Sequence, residues 1–339
     1  MATGSNDKVR GAVNPLRVAV WGIGAHAVKT VLPELFKCMD LRIAGIYSRS
    51  DQVCAEQSAI YACRVWQTVD EMLTSNDVDV VYLVTPTALH FEQGQAVLKA
   101  GKHLWCEKPL STSQTDAREL VSLARSRSLC LGVVCGPRYH AHFRAVKAQL
   151  DGANIGNVRQ INAKFQFPHL EPTNFRYRSD LGGGALLDIG FYLFYLADAL
   201  VDGEIIQMSS ELASDDGYQV DTHGHATLMY KGDVTVELFW GFGGDYSNYL
   251  SVEGDKGTLL AEPFFSKPKN RPPSLIVTDL RGIERPIEMP NESPFEGMLK
   301  IFCEGVRIEG QREDLWREAL SSQELLHQAH QRSLDHKRG

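Results

Sequence analysis

Residues 16–27 of this chain, LRVAVWGIGAHA, join a short strand-like run to a glycine turn, and an apolar helical pattern follows. The turn reads G-x-G-x-x-A, with small residues at Gly22, Gly24 and Ala27. In a dinucleotide site these residues allow a tight turn, close approach of the pyrophosphate, and close packing of helix on strand. The helix N-terminus then faces the phosphates, which predicts a dinucleotide-binding βαβ unit. The predicted cofactor contacts here are Gly22, Ile23, Gly24, Ala25 and His26.

The remainder of the first 135 residues alternates apolar strand patterns with helical patterns. Strands are predicted at Leu16–Trp21, Arg42–Tyr47, Val78–Thr85, His103–Cys106 and Leu129–Val134. Strands that are apolar on both faces and separated by helices indicate a parallel sheet covered on both sides. We therefore predict an α/β fold, with a flexible segment over 1–15 and a Rossmann dinucleotide-binding domain over 16–136.

The end of the second predicted strand carries information about cofactor choice. An acidic residue there binds the 2′-hydroxyl of NAD, but this chain has Ser48-Arg49-Ser50. A carboxylate would repel a 2′-phosphate, whereas a hydroxyl and a guanidinium can bind and neutralise it. Ser48 and Arg49 therefore favour NADP(H). NAD(H) stays the alternative because Asp51 follows closely.

After Gly136-Pro137 the pattern changes to alternating segments joined by hairpin-like turns. The sequence predicts an α+β domain over 137–339 with a mainly antiparallel, open sheet. Its helices are expected around His142–Leu150 and from near Gly184, and two amphipathic terminal helices, Pro294–Ile308 and Leu315–His330, are expected to pack back on the body. The predicted strands are Asn157–Gln166, Glu204–Leu212, Thr222–Tyr230, Val234–Trp240, Tyr249–Glu253, Thr258–Glu262 and Ser274–Asp279.

Composition limits the classes of partner. Of 339 residues, 43% are hydrophobic and 23% are charged, which is typical of a globular protein long enough for two domains. The net charge of -7 argues against nucleic acid as the main partner. Apolar runs such as Val78–Val84 are too short for a membrane helix, and the N-terminus lacks the pattern of a secretory signal. Together with seven cysteines without C-x-x-C spacing, these features predict a cytoplasmic protein.

Three further segments carry a family resemblance. Residues 85–90 read TPTALH, residues 100–109 read AGKHLWCEKP, and residues 182–192 read GGGALLDIGFY. With the glycine turn, they make the chain resemble the Gfo/Idh/MocA oxidoreductases, the family of glucose–fructose oxidoreductase and inositol dehydrogenase. The family's lysine falls on Lys108, beside the nicotinamide, where the Lys–Pro bond is typically cis. A lysine there can orient a substrate oxygen and stabilise or shuttle its proton.

A second pair of residues falls on the third segment. Where inositol-dehydrogenase-like members have Asp and His four residues apart, this chain has Asp188 and Tyr192, on one helix face. Tyrosine here resembles glucose–fructose oxidoreductase, the dimeric dihydrodiol dehydrogenases and the sugar 3-ketoreductases that act on nucleotide-linked deoxysugars. The resemblance implies that Tyr192 is the proton donor or acceptor, that Lys108 lowers its effective pKa, and that Asp188 fixes the substrate or the lysine.

The resemblance also implies cofactor contacts in the loops around the ribose and nicotinamide. These are Thr85, Pro86, His90, Glu107, Lys108, Arg138 and Arg176. The pair Phe175-Arg176 stands where the family usually has Trp-Arg. No metal is predicted, because Asp221, His223 and His225 share a strand face that is more consistent with a polar surface or interface.

These inferences predict an NADP(H)-dependent oxidoreductase acting on a sugar or nucleotide sugar, and reduction of a 3-keto nucleotide sugar is the favoured reaction. The alternative enzyme oxidises a free aldose or a trans-dihydrodiol with NADP⁺. A third reading, from another class, is a non-catalytic regulator that senses NAD(P) or a sugar, although Lys108 and Tyr192 are both present. Because the open sheet face of the family commonly forms a subunit interface, a homodimer or homotetramer is expected.

Overall fold

The computed structural model describes residues 14–266, 272–289 and 293–336. Most of the N-terminal segment predicted over 1–15 lies outside these residues. The described chain contains two separate β-sheets, one in each half, and helices from the two halves pack against one another. The predicted α/β class, with a second domain built on a mainly antiparallel sheet, is confirmed.

Six parallel strands form the first sheet. They are β1 (Leu16–Trp21), β2 (Leu41–Tyr47), β3 (Arg64–Val65), β4 (Val80–Leu83), β5 (His103–Cys106) and β6 (Leu131–Val133). Their order is β3-β2-β1-β4-β5-β6, so the direction of winding reverses between β1 and β4. Val18 and Val20 belong to one apolar cluster and Ala19 and Trp21 to another, which shows that both faces are buried. Ligands of such sheets bind beyond the carboxyl ends of the strands at the reversal.

Helices connect these strands. After a π-helical turn at Ala27–Val31 come α1 (Leu32–Lys37), α2 (Asp51–Tyr61), α3 (Val69–Thr74), α4 (His90–Lys99) and α5 (Gln114–Ser126). Ser50, Thr68 and Ser113 are N-caps, and each hydroxyl accepts a hydrogen bond of 3.2–3.4 Å from the amide three residues further on. Such caps satisfy amides that the helix leaves without a partner, which explains why α2, α3 and α5 begin where they do.

Eight strands form the second sheet. They are β7 (Val158–Phe167), β8 (Ile205–Ala213), β9 (His223–Tyr230), β10 (Val234–Phe242), β11 (Ser247–Gly254), β12 (Gly257–Glu262), β13 (Ser274–Asp279) and β14 (Glu284–Pro286). The order is β14-β13-β12-β11-β7-β10-β9-β8, and all pairs are antiparallel except β7 with β10. Alternate residues such as Ile161, Ala163 and Phe165 face the core. The opposite face carries polar residues and a few exposed apolar ones.

The helices of the second half are α6 (Gly136–Tyr139), α7 (Ala141–Asp151), α8 (Phe191–Leu200), α9 (Pro294–Arg307) and α10 (Glu309–His336). The stretch Ser179–Leu200 is long and apolar enough to cross a membrane, but 67% of it is buried inside the protein. A helix that is apolar all round is typical of a protein core, so α8 is the core helix on which the second sheet packs.

The last two helices return to the first sheet. The ring of Phe302, on α9, lies 5.4 Å from that of Trp105 on β5, between centroids. Helix α10 bonds to both halves: Arg118 on α5 donates to Glu324 at 2.8 Å, and the Leu212 amide on β8 donates to Ser333 at 2.9 Å. The helix is longer than predicted because its first turns are polar and give no apolar periodicity.

Candidate active site

A cleft of about 580 Å³ lies between the two sheets. One wall is formed by segments at the carboxyl ends of β1, β4 and β5, and includes Gly24, Ala25, His26, Thr85, Pro86 and Lys108. The other wall comes from the second half, and includes Phe165, Phe167, Asp188, Tyr192, Phe265 and Ser266. Each wall is contributed by a different half of the chain, so a ligand in the cleft would contact both.

The glycine turn forms the floor of the first wall. Gly22 has φ +100°, and a Cβ there would lie 2.8 Å from the Val84 oxygen, so both conformation and space demand glycine. Its amide donates to the Tyr47 oxygen at 2.8 Å, which ties the turn to β2. A Cβ on Gly24 would meet no atom within 4 Å, so this residue faces open space.

The residues of the turn fit a dinucleotide pyrophosphate. Gly24, Ala25 and His26 are exposed to the cleft, and the first helical amides have no partner within the helix. Such amides, with the helix dipole, form an anion site. Ile23, in contrast, is 7% exposed and packs in the core, so its side chain supports the turn from below.

Lys108, Asp188 and Arg176 form one charged cluster at the centre of the cleft. The Lys108 ammonium donates to Asp188 Oδ1 at 2.8 Å and to the Asp188 carbonyl oxygen at 2.5 Å. Arg176 Nε donates to the other carboxylate oxygen, Oδ2, at 2.6 Å. Burial alone would raise the pKa of Asp188, but the two cations and their hydrogen bonds lower it to about 2. Asp188 is therefore an anion that anchors Lys108 rather than a proton donor.

Tyr192 lies directly beside this cluster. The Lys108 nitrogen is 4.6 Å from the centre of its ring, and Phe165 packs at 6.3 Å on another side. Burial, reinforced by the charges of Glu107 and Asp188, raises the pKa of Tyr192 well above its ordinary value. Arg176 acts in the opposite direction, but the pKa of Tyr192 stays raised. The contribution of Lys108 to the effective pKa of Tyr192 stays a prediction. Tyr192 is a phenol that holds its proton.

Glu107 links the glycine turn to β4 and β5. Its carboxylate accepts a hydrogen bond from the Tyr82 hydroxyl at 3.1 Å and lies 3.3 Å from Nε2 of His26. The hydrogen bond to Glu107 raises the pKa of His26, against the opposing effect of burial. Burial alone would raise the pKa of Glu107, but His26 and Lys108 hold it below the usual value. The ion pair of His26 and Glu107 places the His26 imidazole beside the glycine turn, where the phosphates of the dinucleotide are predicted to bind.

His90 does not reach the cleft surface. Its Nδ1 is 2.9 Å from the Pro109 oxygen and its Nε2 is 2.8 Å from the Thr85 oxygen, and the residue is 1% exposed. With both ring nitrogens engaged, His90 braces the two loops that carry Thr85 and Lys108. The Lys108–Pro109 peptide bond between them is cis, as the resemblance implies.

The other predicted contacts lie at varying distances from the cleft. Ser48 and Arg49 follow the carboxyl end of β2, next to the glycine turn, and Arg49 is exposed. Arg138 instead pairs with Glu318 on α10 at 3.0 Å and donates to the Tyr195 hydroxyl, outside the residues that line the cleft. Asp221 accepts a hydrogen bond from the Leu186 amide at 2.6 Å, which holds the start of the helix that carries Asp188.

Sequence reasoning missed the aromatic wall. Phe165, Phe167, Phe175 and Phe265 all line the cleft, and Phe165 stacks on Phe265 with ring centres 5.6 Å apart and planes 9° apart. The two phenylalanines at alternate positions near the end of β7, Phe165 and Phe167, could have indicated this wall, but alternation in a strand equally indicates a core face.

A glycine turn at the winding reversal, with a lysine on the same wall of the cleft and a tyrosine on the opposite wall, defines a dinucleotide-dependent oxidoreductase. Comparison with known families agrees. Residues 16–135 match the model of the Gfo/Idh/MocA oxidoreductase family with an NAD-binding Rossmann fold, and residues 143–260 match the family's C-terminal domain. The chain belongs to the Gfo/Idh/MocA family.

Several relatives are named as sugar reductases, and others as sugar or inositol dehydrogenases. The dTDP-3,4-didehydro-2,6-dideoxy-alpha-D-glucose 3-reductase of Streptomyces violaceoruber is 33% identical over 88% of this chain and 87% of its own length. The 1,5-anhydro-D-fructose reductase of Ensifer adhaerens is 38% identical over 76% of this chain and 79% of its own. The crystal structure of a 3-ketoreductase from Actinomadura kijaniata with NADP and TDP-benzene is 28% identical, covers 93% of this chain and 96% of its own, and has a TM-score of 0.86.

Proposed function

We propose that this protein is a cytoplasmic, NADPH-dependent ketoreductase of sugars, with a nucleotide-linked 3-keto sugar as substrate. The observation that carries the proposal is the contact of Tyr192 and Lys108 from opposite walls of the cleft, beside the glycine turn. The 3-reductases among the relatives cover most of the chain, and one related structure holds both NADP and a TDP compound. The residues around the glycine turn and at Arg49 would hold NADPH, which supplies the hydride when bound.

In this mechanism Tyr192 donates the proton. As negative charge develops on the carbonyl oxygen, the phenol of Tyr192 transfers its proton to that oxygen. The ammonium of Lys108, fixed by two bonds to Asp188, lies where it can stabilise the same oxygen at no cost of reorganisation. Arg176 holds the far oxygen of the Asp188 carboxylate, so the anchor cannot rotate away from the lysine.

The electrostatics of Tyr192 favour the reductive direction. A phenol whose pKa is raised stays protonated through the neutral range, as a proton donor must. Oxidation of an aldose or a trans-dihydrodiol would need the phenolate form as the base, which a raised pKa makes scarce at neutral pH. The protonated form therefore supports reduction as the direction to assay first.

The direct test is a spectrophotometric assay. The purified protein should oxidise NADPH in the presence of a dTDP-linked 3-keto deoxysugar, and the NMR spectrum of the product should show a new hydroxyl-bearing carbon at C3. No absorbance change with any keto-sugar, with NADPH binding intact, would contradict the proposal and favour a regulator that senses cofactor or sugar.

A second candidate is reduction of a free keto-sugar without a nucleotide. It is favoured by the 38% identity to a 1,5-anhydro-D-fructose reductase. Parallel assays with 1,5-anhydro-D-fructose and with the nucleotide-linked ketone separate the two. The substrate with the higher kcat/KM identifies the class.

Arg49 is expected to set the preference for NADPH. Replacing it with alanine removes a guanidinium that can bond a 2′-phosphate, so Kd for NADPH should rise about 10- to 100-fold while Kd for NADH changes little. Fluorescence titration with both nucleotides measures this. Arg42→Ala is the matched control, because Arg42 lies near the amino end of the same strand. Equal losses for NADH and NADPH would contradict the assignment.

His26 is expected to make NADPH binding depend on pH. The imidazolium and the Glu107 carboxylate together carry no net charge, whereas loss of the imidazolium proton leaves a negative charge beside the phosphate site. Because the pKa of His26 is raised, affinity should fall as pH increases above its ordinary value of 6.5. Titrations from pH 6 to 9 should show a weaker slope in His26→Gln than in the parent, and identical slopes would rule this role out.

The open face of the second sheet supports self-association. Phe239 and Leu260 are 40% and 41% exposed on this face, and His225 stacks against Phe239 with ring centres 6.0 Å apart. An apolar group of this kind on a broad sheet is suited to bury a second copy. We propose a homodimer through this face, with a homotetramer as the alternative, and light scattering of the purified protein measures its mass.

A further inference from the structure

We propose that Asn248 is a positioning residue that fixes the substrate-facing wall of the cleft, an inference that rests on the proposed reduction of a keto-sugar. Asn248 lies on β11 and its side chain points into the core, where the residue is 0% exposed. A fully buried amide is costly unless every polar atom is bonded. Asn248 therefore has a specific structural purpose.

Both ends of the Asn248 amide bind the same turn, residues 263–266. Its oxygen accepts hydrogen bonds from the backbone amides of Phe264 at 2.9 Å and Phe265 at 2.7 Å. Its nitrogen donates toward the Ser266 carbonyl oxygen at 2.8 Å and the Ser266 hydroxyl at 3.0 Å. One side chain thus determines the backbone position of three consecutive residues.

This turn carries two residues of the cleft wall. Phe265 and Ser266 both line the cleft, on the side facing the glycine turn. The ring of Phe265 stacks on Phe165, and Phe165 in turn packs against Tyr192. Asn248 is not itself among the residues that line the cleft, so its influence on a ligand must pass through the turn.

The chemistry of the amide explains why asparagine suits this position. The two backbone amides need an acceptor, and the Ser266 carbonyl needs a donor, which a carboxamide supplies together. The Ser266 hydroxyl oxygen accepts a hydrogen bond from the Asn248 nitrogen. The proton of that hydroxyl can therefore be donated to Tyr246 or to a ligand. The wall therefore offers a flat aromatic ring beside an oriented hydroxyl, a combination that suits the apolar face and hydroxyl groups of a sugar ring.

Two variants and one control test this role. Asn248→Ala removes every side-chain bond to the turn and leaves the backbone bond of 3.2 Å from the Phe264 amide to the carbonyl oxygen of residue 248. Asn248→Asp keeps an acceptor for the Phe264 and Phe265 amides and loses the donor. Asn157→Ala is the matched control, because Asn157 also bonds a turn, through Asp255, outside the residues that line the cleft. Each variant is compared with the parent by hydrogen exchange, NADPH titration and steady-state kinetics with the keto-sugar.

We expect Asn248→Ala to increase KM for the keto-sugar about tenfold or more, with a smaller change in kcat and no change in Kd for NADPH. The Phe265 amide, whose acceptor is the Asn248 side-chain oxygen, should exchange faster in Asn248→Ala and stay protected in Asn248→Asp and Asn157→Ala. Asn248→Asp should recover part of the loss in KM.

Two results would overturn the inference. One is unchanged exchange at the Phe265 amide in Asn248→Ala, which is measured without any substrate. The other is an unchanged KM although the turn has been released. Failure of the parent enzyme to reduce any keto-sugar would instead overturn the proposed function, and the exchange data would still decide whether Asn248 holds the turn. If Asn248→Ala does not fold, KM is compared between the parent and Asn248→Asp, which loses the two hydrogen bonds from the amide nitrogen to Ser266.

Discussion

Replacement of Lys108 by alanine is expected to lower kcat by about 10³-fold or more, while NADPH still binds. The Lys108 side chain is 10% exposed and its ammonium is held by two bonds to Asp188, so it is preorganised beside the Tyr192 ring. Its loss removes the cation that stabilises charge on the substrate oxygen. It also leaves Asp188 with Arg176 as its remaining cationic partner, and the carboxylate then opposes the negative charge that develops nearby.

The measurement is a kinetic assay with the keto-sugar together with an NADPH titration. Lys102→Ala is the matched control, since Lys102 precedes the same strand and bonds the Ser75 and Val78 oxygens away from the cleft. The control should keep kcat within about twofold of the parent. A Lys108→Ala enzyme with near-normal kcat would remove Lys108 from the mechanism, and loss of NADPH binding would make it a cofactor residue instead.

The state of Asp188 explains why we expect Lys108 to matter. With its pKa lowered to about 2, Asp188 is ionised at every pH where the protein would be assayed. The acid limb of a pH–rate profile therefore cannot arise from Asp188. The carboxylate acts by fixing Lys108 and Arg176 around one point, which turns two flexible cations into a rigid cluster.

The sequence predicted the first wall of the site better than the second. The glycine turn, Thr85 and Lys108 each follow a strand of a parallel sheet, and all such strand ends meet at one edge. Local patterns therefore placed them together. Asp188 and Tyr192 were found through the family resemblance of residues 182–192. Asp188 lies in the π-helical turn Leu186–Gly190, and Tyr192 lies on α8, which follows it directly.

The aromatic wall could not be found in this way. Phe165 and Phe265 come from β7 and from the turn after β12, a hundred residues apart in the chain, and they meet because β7 lies between β10 and β11. Hairpin signals predict neighbouring strands as partners, and this inserted, partly parallel arrangement leaves no local trace. The ion pair of Arg138 with Glu318 could not be predicted for a similar reason. Glu318 lies on α10, and local sequence patterns do not show where that helix packs.

Replacement of Tyr192 by phenylalanine is expected to lower kcat by about 10²- to 10⁴-fold with little change in KM or in NADPH binding. The change removes one oxygen and keeps the ring that packs against Phe165, Phe191 and the Lys108 ammonium. Within the described part of the chain, the hydroxyl has no recorded hydrogen-bond partner, so its removal leaves no buried group unpaired. The loss in rate should therefore report proton donation rather than altered folding.

Tyr195→Phe is the control, because Tyr195 lies one helical turn along α8 and its hydroxyl receives a hydrogen bond from Arg138 outside the cleft. Kinetics in H₂O and D₂O add a second readout. The parent should show a solvent isotope effect on kcat if proton transfer limits the rate, and Tyr192→Phe should change that effect because another donor must act. If Tyr192→Phe retained both the parent kcat and its isotope effect, the proton would have to come from elsewhere, and His26 is the titratable group of the cleft that would then be tested first.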